Sequence, residues 1–263
     1  MANTKDVLFE QHDNLGILTF NRPQRLNALS GEIISESLEI VERVSVDRSV
    51  RALLITGAGR GFCSGADLGP DQALENTAGE LGEAMRNGVN KLVLAICNAP
   101  FPVVTAVNGS AAGAGVGIAL AGDFLIASES MRLLLTFSRI GMGLDAGTSW
   151  FLSQLLGTKR AAAISMLIEP IDAKRALEWG IAYSVASDAN LMAEAAEFAT
   201  RLSNGPTKAF AAQKRQYQLA QTMTLQETLD MEADVQDELI ASHDLKEGIA
   251  AFRAKRQAKY TGT

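Results

Sequence analysis

Hydrophobic residues in the first two hundred positions form short runs separated by longer, mixed segments. Four runs are rich in β-branched and aromatic residues: GILTF (Gly16–Phe20), RALLITG (Arg51–Gly57), FPVVTAVNG (Phe101–Gly109) and DFLIAS (Asp123–Ser128). Segments with helical spacing lie between most of them. This alternation predicts an α/β core. The interval varies from about twenty to about fifty residues, which indicates a loose repeat rather than a strict period.

One of the intervening segments, SGEIISESLEIVERV, shows the helical pattern clearly. Ile33, Leu38, Ile40 and Val41 mark one apolar face of a helix. Ser30 stands directly before it, where a serine side chain commonly accepts a hydrogen bond from the first turn. The segment therefore predicts an amphipathic helix with Ser30 as its N-cap.

The pattern changes in the last third of the chain. From about Thr158 onward it becomes almost wholly helical, with breaks at Gly157, Gly180 and Asn204–Thr207. The sequence predicts an α/β core over residues 1–200 and a helical C-terminal region over residues 201–263.

Composition narrows the possible functions. The 263 residues are 47% hydrophobic and carry a net charge of -6, which argues against nucleic-acid or anionic-membrane binding through the whole surface. His12 and His243 are the two histidines, too few for a zinc cluster or a Ser-His-Asp triad, so no metal is expected. Cys63 and Cys97 lack metal-ligand spacing and are expected to be reduced packing thiols.

The location is expected to be the cytoplasm, because no export signal is visible at the start of the sequence. Leu92–Gly122 contains no charged residue and is long enough to span a bilayer. Two prolines, two asparagines and five glycines interrupt it. It is therefore expected to form a buried helix end, a buried strand and a tight loop.

Two glycine-rich loops follow apolar strands, GAGRGFCSGADLG (Gly57–Gly69) and NGSAAGAGVG (Asn108–Gly117). Such loops let backbone N–H groups approach a ligand closely, although glycine also serves simply to make tight turns. The dinucleotide-binding pattern G-x-G-x-x-G fails, because Ile118 occupies the position of its third glycine. The loops therefore favour an anionic or carbonyl ligand other than a dinucleotide.

Five ordered motifs resemble the crotonase family, the enoyl-CoA hydratase/isomerase superfamily. They are NRPQRLNAL, GFCSGADL, PVVTAVNGSAAGAGVGIALAGDFLIAS, AKRALEWGI and EGIAAFRAKRQAKYTG, and together they cover nearly the whole chain. The resemblance implies a crotonase fold, a spiral of ββα repeats with a helical C-terminal trimerisation region. It also implies an acyl-coenzyme A thioester as substrate.

The resemblance assigns roles to individual residues. The oxyanion hole falls on the backbone N–H groups of Ala66 and Ala114, which would stabilise negative charge on the thioester oxygen. Coenzyme A contacts fall on Arg25, Leu26, Ser64, Asp67 and Leu68, and on Phe252 and Lys255 of the tail, which approach the ligand from a neighbouring subunit in many members. The plainer alternatives are a solvated arginine and an ordinary amphipathic helix.

The two glutamates of family hydratases are missing. Gly117 and Phe137 occupy those positions, and neither side chain can transfer a proton. Both are expected at the substrate pocket, where Phe137 makes one wall apolar. Hydration by the two-glutamate mechanism is therefore not expected.

Asp145 matches a third catalytic position of the family. Dienoyl-CoA isomerases, ring epoxyphenylacetyl-CoA isomerases and an aromatic acyl-CoA dehalogenase use an acid at this position, and Asp145 is the acid that this chain retains at a family catalytic position. Its neighbours Ile140, Met142 and Leu144 are apolar, and partial desolvation would make the carboxylate a better base. An aspartate before a helix is also commonly just an N-cap. We expect Asp145 to act as a general acid/base.

The sequence thus predicts an acyl-CoA isomerase that needs no cofactor beyond the coenzyme A of its substrate and assembles as a homotrimer or dimer of trimers. Three alternatives stay open: an enoyl-CoA hydratase-like enzyme, an aspartate nucleophile acting hydrolytically on an aryl-CoA, and a non-catalytic acyl-CoA-binding paralogue. The dehalogenase-like version usually has a histidine in the helix before PFPVV, and Asn90–Asn98 contains none. The acyl group and the pathway are not predicted.

Overall fold

Strands alternate with helices in the first half of the chain, and helices dominate the second half, in the computed structural model, which describes residues 5–69 and 79–263. The described strands are β1 (Val7–His12), β2 (Leu15–Phe20), β3 (Ala52–Gly57), β4 (Gly61–Cys63), β5 (Val103–Val107), β6 (Ser110–Ala112), β7 (Phe124–Ser128), β8 (Arg132–Leu134), β9 (Ile171–Asp172) and β10 (Ser184–Ala186). The described α-helices are α1 (Gly31–Val46), α2 (Leu81–Asn87), α3 (Val89–Asn98), α4 (Ala114–Ala121), α5 (Thr148–Leu167), α6 (Ala173–Glu178), α7 (Leu191–Ser203), α8 (Thr207–Ala220), α9 (Leu225–Leu239) and α10 (His243–Ala254).

The strands form two sheets that the chain visits in turn. One sheet has the order β1-β2-β3-β5-β7-β10 and the other the order β4-β6-β8-β9. The successive pairs β3/β4, β5/β6 and β7/β8 each place one strand in each sheet and are followed by helix. Neighbours β2, β3, β5, β7 and β10 run parallel. This confirms the predicted α/β fold of repeated ββα units.

The larger sheet is covered on both sides, which explains the nearly continuous apolar runs in its strands. Every residue of β3 is buried. Leu53 and Ile55 belong to the main hydrophobic core, whereas Leu54 faces the opposite side, in a second cluster that includes Ala195 of α7. The sheet therefore provides a rigid frame, and its loops carry the site.

Local signals in the sequence behave as predicted at several points. The Ser30 hydroxyl accepts a hydrogen bond from the Ile33 amide at 3.3 Å and caps α1. The uncharged segment Leu92–Gly122 becomes the end of α3, the buried strand β5, the short strand β6 and the wholly buried helix α4. Within the described residues, every helix is too short or too polar to cross a membrane.

The prediction of almost continuous helix after Thr158 needs a correction. β9 adds to the smaller sheet, and β10 forms the edge of the larger one beside β7. They have two and three residues, so a two-residue alternation has no length in which to appear. The predicted breaks at Gly157 and Gly180 are present as left-handed residues with φ of 72° and 71°.

The C-terminal helices are tied to the sheet frame by side chains. Lys214 of α8 pairs with Asp123 at 2.9 Å and donates to the Ile96 carbonyl. Arg51 donates to the Thr207 hydroxyl at 2.9 Å and to the Tyr260 carbonyl at 3.1 Å, which fixes the end of the chain. The boundary predicted at residue 200 stays a prediction.

Candidate active site

The two glycine loops lie against each other at Gly65. Gly65 has φ of +85°, and a Cβ there would lie 2.7 Å from the Ala112 carbonyl oxygen and 3.3 Å from the Ala114 amide nitrogen. Real Cβ atoms essentially never approach backbone within 3.0 Å, so only glycine permits this contact. The fold therefore brings the loop of Ala66 directly beside the amide of Ala114.

Both predicted oxyanion donors have amides that the surrounding backbone leaves available. Leu29 and Ala66 form a parallel bridge in which the bonds are made by the Leu29 and Asp67 amides, not by that of Ala66. Ala114 is the first residue of α4, where an amide has no intrahelical acceptor. Two neighbouring N–H groups of this kind can donate to one carbonyl oxygen.

Asp67 anchors the first of these loops. Its carboxylate, buried, accepts from the Gly69 amide at 3.1 Å and pairs with Arg22 at 3.0 Å and Arg25 at 3.9 Å. Burial acts to raise the pKa of this carboxyl, but the Gly69 amide and the two guanidinium groups outweigh it and hold the pKa below its ordinary value. Asp67, predicted as a coenzyme A contact, is thus engaged with the protein itself and fixes the loop beside Ala66.

Arg22 and Asn27 are site-building residues that the sequence interpretation missed. Arg22 also donates to the Ala28 carbonyl at 3.0 Å. Asn27 is fully buried with φ of 56°. Its side-chain Nδ2 donates to the backbone carbonyls of Ala58 and Gly61, and its Oδ1 accepts from the backbone amide of Arg22. The sequence did contain one signal for this role, because asparagine adopts a left-handed backbone more readily than most residues and NRPQRLNAL has one before its last two residues.

The predicted coenzyme A residues of the core gather along the edge of the same loop. The Ser64 amide donates to the Leu26 carbonyl at 3.0 Å, and its hydroxyl donates to the Arg25 carbonyl at 3.3 Å. Arg25 and Leu68 are both exposed. The fold brings these residues together, and their contact with coenzyme A stays a prediction.

The two tail residues lie in a different part of the chain. Phe252 is 85% exposed on α10, and Lys255 ends that helix in a left-handed conformation with φ of 52°. The tail that follows is held by Arg51, and the Asp244 carboxylate accepts from the Thr261 and Gly262 amides. Their predicted role across a subunit boundary stays a prediction.

Asp145 lies in a tight turn ahead of α5. Ala146 and Gly147 both have left-handed backbone, with φ of 48° and 76°, and Gly147 is the capping residue of α5. The Thr148 amide donates to the backbone carbonyl of Asp145, at 2.9 Å, and no side chain of the residues described caps the helix. The alternative that Asp145 is only an N-cap is therefore wrong.

The carboxylate of Asp145 is poorly solvated. Its Oδ1 atom is buried and has no hydrogen-bond partner among the described residues, and the same holds for the Thr148 hydroxyl. Burial raises the pKa of Asp145 from its ordinary 3.8 to about 6. A carboxyl with that pKa can both accept and return a proton near neutral pH.

The acid and the donors border the same helix. A Cβ on Gly117, one turn into α4 from Ala114, would lie 2.7 Å from the Ala146 Cβ. Gly117 packs on the Asp145 turn, and its predicted place at the substrate pocket stays a prediction. The ring tip of Phe137 lies 4.0 Å from the Cβ position of Gly113, so this apolar side chain reaches the second loop.

A large groove of about 990 Å³ lies elsewhere, between the C-terminal helices and the ends of α1 and α3. Arg51, Lys214 and Gln218 are among its lining residues. All the predicted site residues lie outside that lining. We therefore place the candidate active site at the two loops and the Asp145 turn, which border the same helix, α4.

Sequence comparison identifies the family to which this arrangement belongs. The family described as enoyl-CoA hydratase/isomerase matches residues 10–263. The chain belongs to the enoyl-CoA hydratase/isomerase family. The loop pair, the helix α4 and the Asp145 turn all lie within the matched residues.

Similar proteins within this family carry several activities. The chain is 40% identical over 247 residues to the 1,2-epoxyphenylacetyl-CoA isomerase of Escherichia coli, covering 93% of this chain and 94% of the relative. It is 28% identical to the 4-chlorobenzoyl coenzyme A dehalogenase-1 of an Arthrobacter species, covering 97% and 94%. A solved enoyl-CoA hydratase from Polaromonas sp. JS666 matches with a TM-score of 0.92 and 32% identity, covering 97% and 99%. This chain is therefore similar to proteins named as isomerase, dehalogenase and hydratase.

Proposed function

We propose that this chain is an acyl-CoA isomerase in which Asp145 moves a proton while the amides of Ala66 and Ala114 hold the thioester oxygen. The observation that carries the proposal is the Asp145 carboxyl, which has one buried oxygen without a partner in the described part of the chain and a pKa of about 6. Enolate formation places negative charge on the thioester oxygen, where the two amides act. Return of the proton at another carbon completes an isomerisation without water, metal or redox cofactor.

Two further features favour isomerisation over hydration. Gly117 and Phe137 stand where family hydratases carry glutamates, and Phe137 is buried against the second loop. A single carboxylate can transfer a proton, but activation of water as in the two-glutamate mechanism needs a second acid. The similarity to a 1,2-epoxyphenylacetyl-CoA isomerase supports the same choice.

A second candidate is attack by the Asp145 carboxylate on an aryl-CoA, as a nucleophile. The unpaired Oδ1 atom and the similarity to a 4-chlorobenzoyl coenzyme A dehalogenase favour it. The helix α3, which precedes PFPVV, contains no histidine to assist the later hydrolysis of the covalent adduct. We therefore rank proton transfer first.

A turnover screen tests the proposal. Enoyl, dienoyl and epoxyphenylacetyl thioesters are incubated with the protein and followed by absorbance and by product mass. We expect a product of unchanged mass from at least one substrate. A gain of one water in mass would indicate hydration, and binding of every thioester without turnover would indicate a non-catalytic paralogue.

We also propose a trimer or a dimer of trimers as the functional assembly, with coenzyme A as the only cofactor-like group and the cytoplasm as the location. Exposed apolar residues on the C-terminal helices support the assembly: Leu225, Leu229, Ile240 and Phe252 are 75%, 51%, 65% and 85% exposed. Light scattering at micromolar concentration tests it. A monomer would reject the assembly, and with it any shared use of Phe252 and Lys255.

A further inference from the structure

Gly117 lies in the middle of α4 and packs directly against the turn that carries Asp145. The helix is wholly buried, and a Cβ at position 117 would lie 2.7 Å from the Ala146 Cβ and 2.9 Å from its carbonyl carbon. It would come closest to the Ala146 carbonyl oxygen. Backbone atoms cannot move aside as the end of a flexible side chain can. Any side chain at position 117 therefore displaces the turn.

The turn itself has little freedom to move. Ala146 is 1% exposed and, like Gly147, has left-handed backbone. The Thr148 and Phe151 amides donate to the carbonyls of Asp145 and Gly147, which joins the turn to the first residues of α5. A shift of Ala146 away from α4 would carry Asp145 with it. The position of the carboxyl group therefore depends on the absence of a side chain at position 117.

We propose that Gly117 is a specificity-determining residue that places Asp145 in the site and, by the same contact, excludes an acid from this turn of α4. In this chain, a side chain at position 117 cannot be accommodated while the Asp145 turn keeps its present position. Packing, as well as the identity of the residues, therefore limits the site to a reaction that uses the single carboxylate of Asp145. The reaction assigned to Asp145 rests on the proposed function, whereas the contact between Gly117 and the Asp145 turn is independent of it.

The first test compares Gly117→Ala with Gly143→Ala, a matched change in the loop before Asp145. A Cβ at Gly143 meets no atom of the described residues within 4 Å. We expect Gly117→Ala to lower isomerase kcat by about tenfold to a hundredfold, because a displacement of about 1 Å at a reacting group has effects of this size. Coenzyme A binding should persist, and Gly143→Ala should behave as wild type.

A second readout does not depend on turnover. Titration of the Asp145 carboxyl by NMR should move towards its ordinary pKa in Gly117→Ala, because the displaced turn is better solvated, and stay unchanged in Gly143→Ala. If Gly117→Ala does not fold while Gly143→Ala does, the steric conflict is confirmed. If wild-type protein converts no thioester, the proposed function fails, and the titration still decides the packing.

The last test restores both hydratase acids in the double variant Gly117→Glu/Phe137→Glu. We expect no hydration of crotonyl-CoA and loss of the isomerase activity. Gain of hydratase activity with the isomerase activity retained would overturn the proposal. So would a Gly117→Ala variant with wild-type turnover and an unchanged Asp145 titration.

Discussion

The loop that carries Ala66 and the turn that carries Asp145 face the same helix but are stabilised in opposite ways. Around Ala66, the buried polar groups are paired: Asp67 with Arg22 and the Gly69 amide, and Asn27 with three backbone groups. Around Asp145, the carboxyl Oδ1 and the Thr148 hydroxyl are buried and have no hydrogen-bond partner in residues 5–69 and 79–263. The first region holds fixed dipoles in place, and the second keeps a carboxylate in an environment that disfavours its charge.

This difference agrees with what each region would do in catalysis. Oxyanion donors work best when they do not reorganise, so their loop is tightly hydrogen-bonded. A proton-transferring acid works best with a pKa near the operating pH, which requires incomplete solvation. The polar groups around the oxyanion donors are therefore stabilised by hydrogen bonds, whereas the incomplete solvation of the acid lowers the stability of the folded state.

The largest expected effect is on turnover. Asp145→Asn keeps the size of the side chain and removes the base, so kcat should fall by about a hundredfold to ten-thousandfold with coenzyme A binding retained. Asp172→Asn is the matched control, because Asp172 does cap a helix, α6, through the Arg175 amide. Steady-state kinetics of both variants measure the effect. Full turnover in Asp145→Asn would show that Asp145 is not the acid.

The next effect tests the paired region. Asp67→Asn removes the buried member of the two carboxylates that pair with the Arg22 guanidinium, the other being Asp6 at 3.5 Å, and should lower the free energy of unfolding by about 1.5–3 kcal/mol. Because the folded-state pKa of Asp67 is below its ordinary value, this stabilisation is present above about pH 4 and is lost as the pH falls through the folded-state pKa. Urea unfolding at several pH values measures it.

The matched control for Asp67 is an exposed pair. Arg86 and Glu83 are 71% and 68% exposed, and Glu83→Gln should change stability by less than about 0.5 kcal/mol. Equal effects at the two sites would contradict the view that the Asp67 pair holds the loop.

A smaller effect on the free energy of unfolding, opposite in sign to that of Asp67→Asn, is expected for Asp145→Asn. The folded state binds the Asp145 proton more tightly than the unfolded chain, so wild-type stability falls as the pH rises from about 4 to about 6. Asp145→Asn removes this penalty and should be more stable than wild type by about 1–2 kcal/mol at pH 8. The gain should vanish below about pH 4. A variant less stable than wild type at pH 8 would show that the carboxylate is satisfied.

The smallest effect is expected at Thr148, and a second buried threonine, Thr105, serves as its control. Thr148→Val removes an unpaired hydroxyl and should be neutral or stabilising by up to about 1 kcal/mol. Thr105→Val removes a hydroxyl that donates to the Ala119 carbonyl at 2.8 Å and should cost about 1–3 kcal/mol. Thermal unfolding of both variants measures the pair. Equal losses would indicate that Thr148 has a hydrogen-bond partner.

The sequence predicted the parts of this site that lie within recognisable motifs better than the parts formed by contacts between distant segments. The α/β core and the Ser30 cap follow from strand runs and a cap pattern, whereas the ββα repeat and the loops of Ala66 and Ala114 follow from the motifs that resemble the family. The Arg22–Asp67 pair and the contact of Gly117 with Ala146 join segments far apart in the chain. No local pattern encodes such contacts. The strands β9 and β10 were missed because they are too short to show a period.

The central claim is that Asp145 transfers a proton and forms no bond to the acyl group. Turnover of an isomerised thioester in deuterated water, with samples quenched during the reaction, tests it most directly, because product mass and protein mass are read together. The account predicts deuterium in the product and an unmodified peptide around Asp145. A covalent adduct mass on the peptide that contains Asp145 would contradict it.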